Sequence, residues 1–458
     1  MKREKDNLGN KSLSRRSFLG ATATATAALS FLPRHVLGES GIVSPSQKLN
    51  IAGVGIGGKG LDDLQNLASE NIVALCDVDH NYAAPAFKKW PEAKRHRDFR
   101  KMLETQKDID AVVIATPDHL HFPIAMWAIR HGKHVYCQKP LTHTLAETRA
   151  LARAASQSKV ATQMGNQGNA GEGVRLIQEW IEDGAIGVVR EVHAWTEKPI
   201  WPTGIVRPTD SPPVPEGMDW DLWLGPAPTR PYHPAYTPFK WRAWWDFGSA
   251  SLGDMGCHVL NTPWRALSLG LPTSVEAYSR GCTEETGSLA SIIYYEFPAR
   301  DGRPPVKLTW YDGGIMPPRP VEIGDYRRLG DNEGCIFVGD RGKITCSCYG
   351  ENVRLLPDSL EHAYRRPAPR IPRSAGHYQE WLAACKGGPK AGSHFEHAAV
   401  LTEVVQLGNV ALRHSARVNK ELQNGRPVKL LWDAVAGKTN DPEANQFLQT
   451  EYRKGWEV

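Results

Sequence analysis

The sequence predicts an α/β chain of two domains, a doubly wound parallel sheet followed by an α+β domain built on a mostly antiparallel sheet. Three observations carry that prediction. Near residue 55 an apolar run turns through a glycine triplet into a helical pattern. Strand and helix patterns then alternate as far as Met164, which implies a parallel sheet covered on both faces. Beyond Gln167 strands follow one another with few helices between them, which implies a second sheet of mostly antiparallel strands. A length of 458 residues suits two or three domains, and 41% hydrophobic content is enough for a sizeable core.

The first element is the run Ile51-Ala52-Gly53-Val54, which enters Gly55-Ile56-Gly57-Gly58-Lys59-Gly60 and a helical segment, Leu61 to Leu67. Gly55, Gly57 and Gly60 are spaced G-x-G-x-x-G. The first makes the tight turn, the second lets the backbone approach a pyrophosphate, and the third lets helix and strand pack closely. A glycine triplet alone is weak, but a second strand, Ile72 to Cys76, ends in Asp77, 22 residues after Gly55. An acid there accepts hydrogen bonds from the adenosine ribose and repels a 2′-phosphate, so NAD is expected in preference to NADP, with Asp79 as a second acid close by.

Later strands are expected at Asp110 to Ala115, His134 to Cys137 and Val160 to Met164, with helices at Phe122 to Arg130 and from Thr144 to about Ser158. Thr144 and Glu147 have capping-box spacing. Ligands of such sheets bind beyond the carboxyl ends of the strands, so the residues to read are Asp77, Thr116-Pro117-Asp118 and Gln138-Lys139-Pro140. A lysine at a strand end can point an ammonium at a substrate hydroxyl, which makes Lys139 a catalytic candidate.

The second domain opens with an amphipathic helix, Gly173 to Glu182, whose apolar face is Val174, Ile177 and Ile181. Strands are expected at Val188 to Trp195, Ser274 to Tyr278, Ala290 to Phe297, Val306 to Tyr311, Gly334 to Val338 and Lys343 to Cys348. Between the first two lies a Trp- and Pro-rich stretch, Trp195 to Trp245, expected as a long structured loop whose tryptophans serve mainly as core. It leads to Asp254 and His258, four residues apart and so on one face of a helix, where a carboxylate can orient an imidazole. Helices follow at His377 to Ala384 and His394 to Arg413. The tail from Leu431 has little regular pattern and is expected to wrap the rest.

The formal net charge of +5 resides in residues 1–38, with seven basic and two acidic residues, and the remainder is neutral. Nothing calls for nucleic acid or an anionic membrane. Ser14-Arg15-Arg16-Ser17-Phe18-Leu19 resembles a twin-arginine export motif, and the apolar stretch that follows is shorter than the ~20 residues of a membrane span. Cleavage is expected between Leu37 and Ser40, leaving an extracytoplasmic (periplasmic) protein without stable membrane insertion. Eight cysteines show no zinc-type CxxC pair and are expected as free thiols. The dense His119, His121, His131, His134 and His143 do not form a convincing metal set, and no metal is expected.

Thr116-Pro117-Asp118-His119-Leu120-His121 and Gly132-Lys133-His134-Val135-Tyr136-Cys137-Gln138-Lys139-Pro140 resemble the glucose–fructose oxidoreductase/inositol dehydrogenase/rhizopine-catabolism (Gfo/Idh/MocA) family, whose pattern is T-P-N, a later His, G-K-H-V and E-K-P. Two departures stand out, Asp118 for Asn and Gln138 for Glu, the second removing a negative neighbour of Lys139. The resemblance implies a Rossmann domain over 48–168, an α+β substrate and oligomerisation domain with an open sheet over 169–430, a packed tail over 431–458, and a signal and linker over 1–40. It implies that Gly55, Ile56, Gly57, Gly58, Gly60, Asp77, Thr116, Pro117, His121 and Lys139 bind NAD. It further implies that Lys139 lies beside the nicotinamide, that His258 is the acid/base, and that Asp254 is its partner or a substrate contact. The expected function is oxidation of a sugar, sugar derivative or cyclitol by a homo-oligomer. Glycoside cleavage through a transient 3-keto sugar and a non-catalytic sugar binder are the alternatives. Export away from a pool of NAD adds an expectation that the cofactor is loaded first, retained and returned to its starting state.

Overall fold

The computed structural model describes residues 47–324, 329–422 and 428–458. The export motif and its cleavage region lie outside the described residues. Leu49 and Ser69–Asn71 form a small unit, in which the Leu49 N–H donates to the Glu70 carboxylate (2.6 Å) and the Asn71 N–H to the Leu49 carbonyl (3.0 Å). The other described residues from Asn50 onward pack as one unit.

The first sheet is assembled from β1 (Asn50–Val54), α1 (Gly58–Asn66), β2 (Asn71–Cys76), α2 (Ala84–Lys89), β3 (Lys94–His96), α3 (Phe99–Thr105), β4 (Ala111–Ile114), α4 (His121–Arg130), β5 (His134–Cys137), α5 (Leu145–Gln157) and β6 (Thr162–Met164). Its strand order is β3-β2-β1-β4-β5-β6, and β1 pairs parallel with β4, β4 with β5, and β5 with β6. Chain order reverses between β1 and β4, which leaves a crevice beyond their carboxyl ends. Helices cover both faces, so Ile51, Ala52, Val112, Ile114 and Val135 are fully buried and the strands read as unbroken apolar runs. The capping box at Thr144 and Glu147 forms, with the Glu147 N–H on the Thr144 hydroxyl (3.3 Å) and the Glu147 carboxylate on the Thr144 N–H (3.0 Å).

The second sheet follows α6 (Glu172–Glu182). Its elements are β7 (Val189–Trp195), α7 (Trp220–Leu224), α8 (Ala250–Val259), α9 (Asn261–Ala266), β8 (Ser274–Arg280), β9 (Ala290–Phe297), β10 (Val306–Tyr311), β11 (Gly334–Gly339), β12 (Lys343–Ser347), β13 (Arg354–Leu356), α10 (Asp358–Ala363), α11 (His377–Cys385), α12 (Phe395–Leu422), β14 (Leu430–Asp433) and β15 (Lys438–Thr439). The strand order is β13-β12-β11-β7-β10-β9-β8-β14-β15. Only β7 and β10 pair in parallel; the remaining neighbours are antiparallel. The anchor of α6 is Trp180, fully buried beside Val174 and Ile177, and Ile181 is only half-buried. Helix α12 packs on β8, on α8 and on α5, so one apolar stripe, including Leu401 and Val405, ties the two sheets together.

The opposite face of this sheet is partly covered by the segment after β10, whose Ile323 and Leu329 pack on Trp195, Tyr311 and Ile336. Further along, Tyr278 and Tyr294 stand exposed on β8 and β9. In the Trp- and Pro-rich stretch Trp201, Trp223, Trp241, Trp244, Tyr236 and Phe247 build a small core of their own. The tail is more regular than its sequence suggests: β14 pairs with β8, Leu430 opposite Val275. All eight cysteines are free thiols. Among the described residues no helix is long and apolar enough to cross a membrane.

Candidate active site

The glycine turn joins β1 to α1 with Gly55 at φ +74°, a conformation costly for any residue with a Cβ. At Gly60 a Cβ would lie 1.9 Å from the Gly55 carbonyl oxygen, so the helix can approach the strand only without one. The amides at the start of α1 have no carbonyl within the helix to bond, which suits them to an anion. Asp77, at the end of β2, accepts the Ile56 N–H on one carboxylate oxygen (2.8 Å) and the Asp79 N–H on the other (2.9 Å). Burial outweighs those bonds and pushes its carboxyl up to about 6. Each oxygen keeps a lone pair for a further donor.

A cavity of about 760 Å³ opens from this turn. Gly55, Gly57, Gly58, Asp77, Thr116, Pro117, Lys139 and His258 all line it. Asp77 and Lys139 stand three inter-strand steps apart, on β2 and β5, or about 14 Å. Ile56 serves through its backbone, as the Asp77 donor. His121 does not reach the cavity. Its buried ring lies between the Pro140 carbonyl (2.8 Å from Nδ1) and the Thr116 carbonyl (3.0 Å from Nε2), burial lowers its pKa to about 4, and the neutral ring's single N–H donates to one of the two, so it packs between the β4 and β5 loops.

At the reacting end the Lys139 ammonium donates to Asp254 Oδ1 (2.9 Å) and to the Asp254 carbonyl (2.5 Å). Arg242 Nε donates to the same Oδ1 (2.9 Å). Burial by itself would raise the Asp254 pKa, but Lys139 and Arg242 overcome it and hold the carboxyl well below the usual range. The sequence expectation that Asp254 orients His258 is corrected. Although the two share α8, Asp254 turns to the two cations, and His258 Nδ1 has no hydrogen-bond partner. The His258 ring is buried edge-on against Tyr349, with centroids 4.9 Å apart. Burial, and then the Lys139 charge, pushes its pKa far down, so the imidazole is neutral.

Several residues here escaped the sequence reading. Asp63, buried on α1, accepts from Gln138 Nε2 (2.7 Å) and from the Tyr378 hydroxyl (2.7 Å), and Lys59 Nζ lies 3.0 Å away. Arg242, Tyr349, Tyr378 and Trp456 line the cavity from segments far away in sequence. Lys59 was the one available signal, since it lies inside the glycine motif. Among the described residues no group of three His, Cys, Asp or Glu side chains could hold a metal ion.

Residues 48–166 match the model of the Gfo/Idh/MocA oxidoreductase family, NAD-binding Rossmann fold, and residues 174–270 match the α/β C-terminal domain of the same family. Over these two segments the chain matches the Gfo/Idh/MocA family. It is 33% identical over 252 residues to levoglucosan dehydrogenase from Pseudarthrobacter phenanthrenivorans, covering 55% of this chain and 53% of that one. It is 32% identical over 146 residues to inositol 2-dehydrogenase from Salmonella typhimurium, covering 31% and 43%. The matches thus span about half the length of these curated relatives. The WlbA dehydrogenase from Bordetella pertussis, solved with NADH and UDP-GlcNAcA, superposes over 84% of this chain and 99% of its own with a TM-score of 0.58 at 16% identity, a likeness of fold.

The departures from the Gfo/Idh/MocA pattern have physical counterparts. Gln138 faces a carboxylate on α1, where a second carboxylate would be repelled. Asp118 is buried at 3% exposure, and desolvation lifts its carboxyl to about 7 even though Lys139 and Arg242 pull the other way. Near neutrality a large share of Asp118 therefore carries a proton, which brings it closer to the amide it replaces.

Proposed function

We propose that this chain is an NAD-dependent oxidoreductase acting on a sugar, sugar derivative or cyclitol. One observation carries the reading: an ammonium fixed by a carboxylate and a neutral imidazole share a single cavity with the glycine turn and Asp77. The turn's amides hold the pyrophosphate, and Asp77 takes the adenosine ribose hydroxyls. NAD bound there supplies a hydride acceptor. Lys139 polarises the substrate hydroxyl, with its position fixed by two bonds to Asp254. His258, neutral because it is buried, offers an unprotonated ring nitrogen to the hydroxyl proton. Asp254, which does not line the cavity, acts as a positioning residue for Lys139, and Arg242, which does line it, holds the Asp254 carboxylate in place.

The experiment is a screen of cyclitols, hexoses and anhydro-sugars for NADH formation, repeated with Lys139→Ala and His258→Ala. Turnover lost in both variants, with NAD binding kept, supports the assignment; full activity in either removes that residue.

The twin-arginine motif at Arg15-Arg16 supports a second reading, in which the enzyme works outside the cytoplasmic membrane with NAD loaded before export and retained. The net reaction then returns the cofactor to its starting state, by reducing a second sugar or by elimination and hydration of a glycoside. Exported protein isolated with one nucleotide per chain supports this. Nucleotide-free protein that accumulates NADH only with added NAD returns the enzyme to simple dehydrogenation. The exposed Tyr278 and Tyr294 on the second sheet supply an apolar face for a homo-oligomer, and light scattering of Tyr294→Asp tests it.

A further inference from the structure

Residues Tyr452–Trp456 run across the nucleotide domain as a strap held at three places. The Tyr452 hydroxyl donates to Glu147 on α5 (2.5 Å). Arg453 donates from Nε to the Gly225 carbonyl (3.0 Å) and from a terminal nitrogen to the Asp221 carbonyl (2.8 Å), and its other terminal nitrogen pairs with the Asp221 carboxylate. Its N–H bonds the Pro226 carbonyl (3.0 Å). The strap delivers Trp456 to the cavity wall. There the Arg100 guanidinium lies 4.3 Å from the centre of the indole, and the Phe99 ring is tilted against it with centroids 6.1 Å apart.

The end of the cavity that Trp456 occupies follows from the sheet. Phe99 starts the helix after β3, and β3 lies beyond β2 on the side away from β5. Asp77 ends β2, and Lys139 and His258 stand at the other extreme. With the pyrophosphate at the β1 turn and a ribose on Asp77, the adenine lies on the β2–β3 side, where Phe99 and Trp456 form the wall. The guanidinium lies over one face of the indole and the phenyl ring meets it tilted by 45°, so the indole is held rigid without being stacked on both faces, as a platform for a flat base requires.

We infer that Trp456 is the adenine-binding clasp of this enzyme and that the strap Tyr452–Trp456 sets how fast the nucleotide leaves. The inference rests on the nucleotide reading of the cavity. It extends that reading, because the clasp comes from outside the strand–turn–helix unit that forms the rest of the NAD site. The strap also links α5 and α3 of the nucleotide domain to the loop after α7 of the second domain, so its release would free all three together.

The test uses the full chain and three probes: NAD, ADP-ribose and nicotinamide mononucleotide. Trp456→Ala is expected to weaken ADP-ribose and NAD by roughly ten- to a hundred-fold, the range of one lost base–aromatic stack, while leaving nicotinamide mononucleotide unchanged. The dissociation rate of NADH, read by its own fluorescence, should rise in proportion. Trp456→Phe should recover most of the affinity, and Arg453→Met, which loosens the strap without altering the wall, should raise the dissociation rate by a smaller factor. Should Trp456→Ala fail to fold, the Phe and Met variants carry the same comparison. Unchanged ADP-ribose affinity in Trp456→Ala, or equal losses for all three probes, would overturn the clasp. Wild-type protein that binds neither NAD nor ADP-ribose would overturn the nucleotide reading itself.

Discussion

The two ends of the cavity are built in opposite ways. At the turn end Gly55 through Gly60 and Asp77 come from one strand–turn–helix–strand unit, and their contacts are backbone amides meeting a carboxylate. At the reacting end Lys139, Arg242, Asp254 and His258 come from the end of β5, a loop and α8, and the contacts that fix them join charged side chains, Lys139 to Asp254 across 115 residues of sequence and Arg242 to Asp254 across 12. The turn end is fixed by backbone conformation, and the reacting end by the balance of buried charges. They should therefore fail differently when perturbed.

The largest effect is expected at the reacting end. Lys139→Ala should lower kcat by about 10²–10⁴-fold, the usual contribution of a proton-transfer or polarising group, with the NAD dissociation constant within two-fold or so of wild type. Steady-state kinetics beside calorimetric NAD titration separate the two. Next, Asp254→Ala leaves Lys139 and Arg242 facing each other without their shared carboxylate, and breaking such a group costs about 3–5 kcal/mol. Chemical denaturation should show that loss at neutral pH, and it should be larger than for Asp254→Asn, which keeps a hydrogen-bond acceptor.

Gly60→Ala tests the turn end. Its Cβ would meet the Gly55 carbonyl, so α1 must shift, at a cost of about 1–3 kcal/mol. NAD affinity should fall by a comparable factor while kcat at saturating NAD stays near wild type; a kcat loss like that of Lys139→Ala would erase the distinction between the ends.

The smallest effect is the pH dependence of NAD binding. With the Asp77 carboxyl raised to about 6, the ionised acceptor disappears below that pH, so the NAD dissociation constant should climb toward ten-fold per pH unit as pH falls below 6. For the unliganded fold the sign is reversed. A carboxyl raised above its unfolded value contributes stability below about pH 4, and that contribution is lost as pH rises through 6. Asp77→Ala should remove both trends and relax the preference for NAD over NADP.

This contrast also explains what could be read from sequence. Apolar strands such as Ala111–Ile114 and the capping box at Thr144 announce themselves locally, and so did the alternation of strand and helix. Strand β3 is Lys-Arg-His at a sheet edge, with no apolar residue to mark it. Helix α2 is a six-residue segment containing a proline, and β14 alternates burial over only four residues. At the site, the i, i+4 spacing correctly put Asp254 and His258 on one helix, but spacing is blind to competing partners. Two cations brought in by the fold outbid a neutral imidazole for the carboxylate. Asp63, Tyr378 and Trp456 carry no local signal, because only packing brings them to the cavity.

The Asp63–Gln138 contact ties together two positions 75 residues apart. The Gfo/Idh/MocA pattern keeps an acid at the position of Gln138, and this chain has an amide there with an acid facing it from α1. The carboxylate of this pair therefore stands on α1, and the amide stands beside Lys139. Restoring Glu at 138 alone would set two carboxylates at hydrogen-bond distance and force a proton onto one of them. Changing Asp63 to Asn as well would keep one hydrogen bond between the two positions, with donor and acceptor exchanged. Positions 63 and 138 therefore constrain each other: either single exchange should cost stability that the double exchange returns, and chemical denaturation of the two single variants beside the double one measures that coupling.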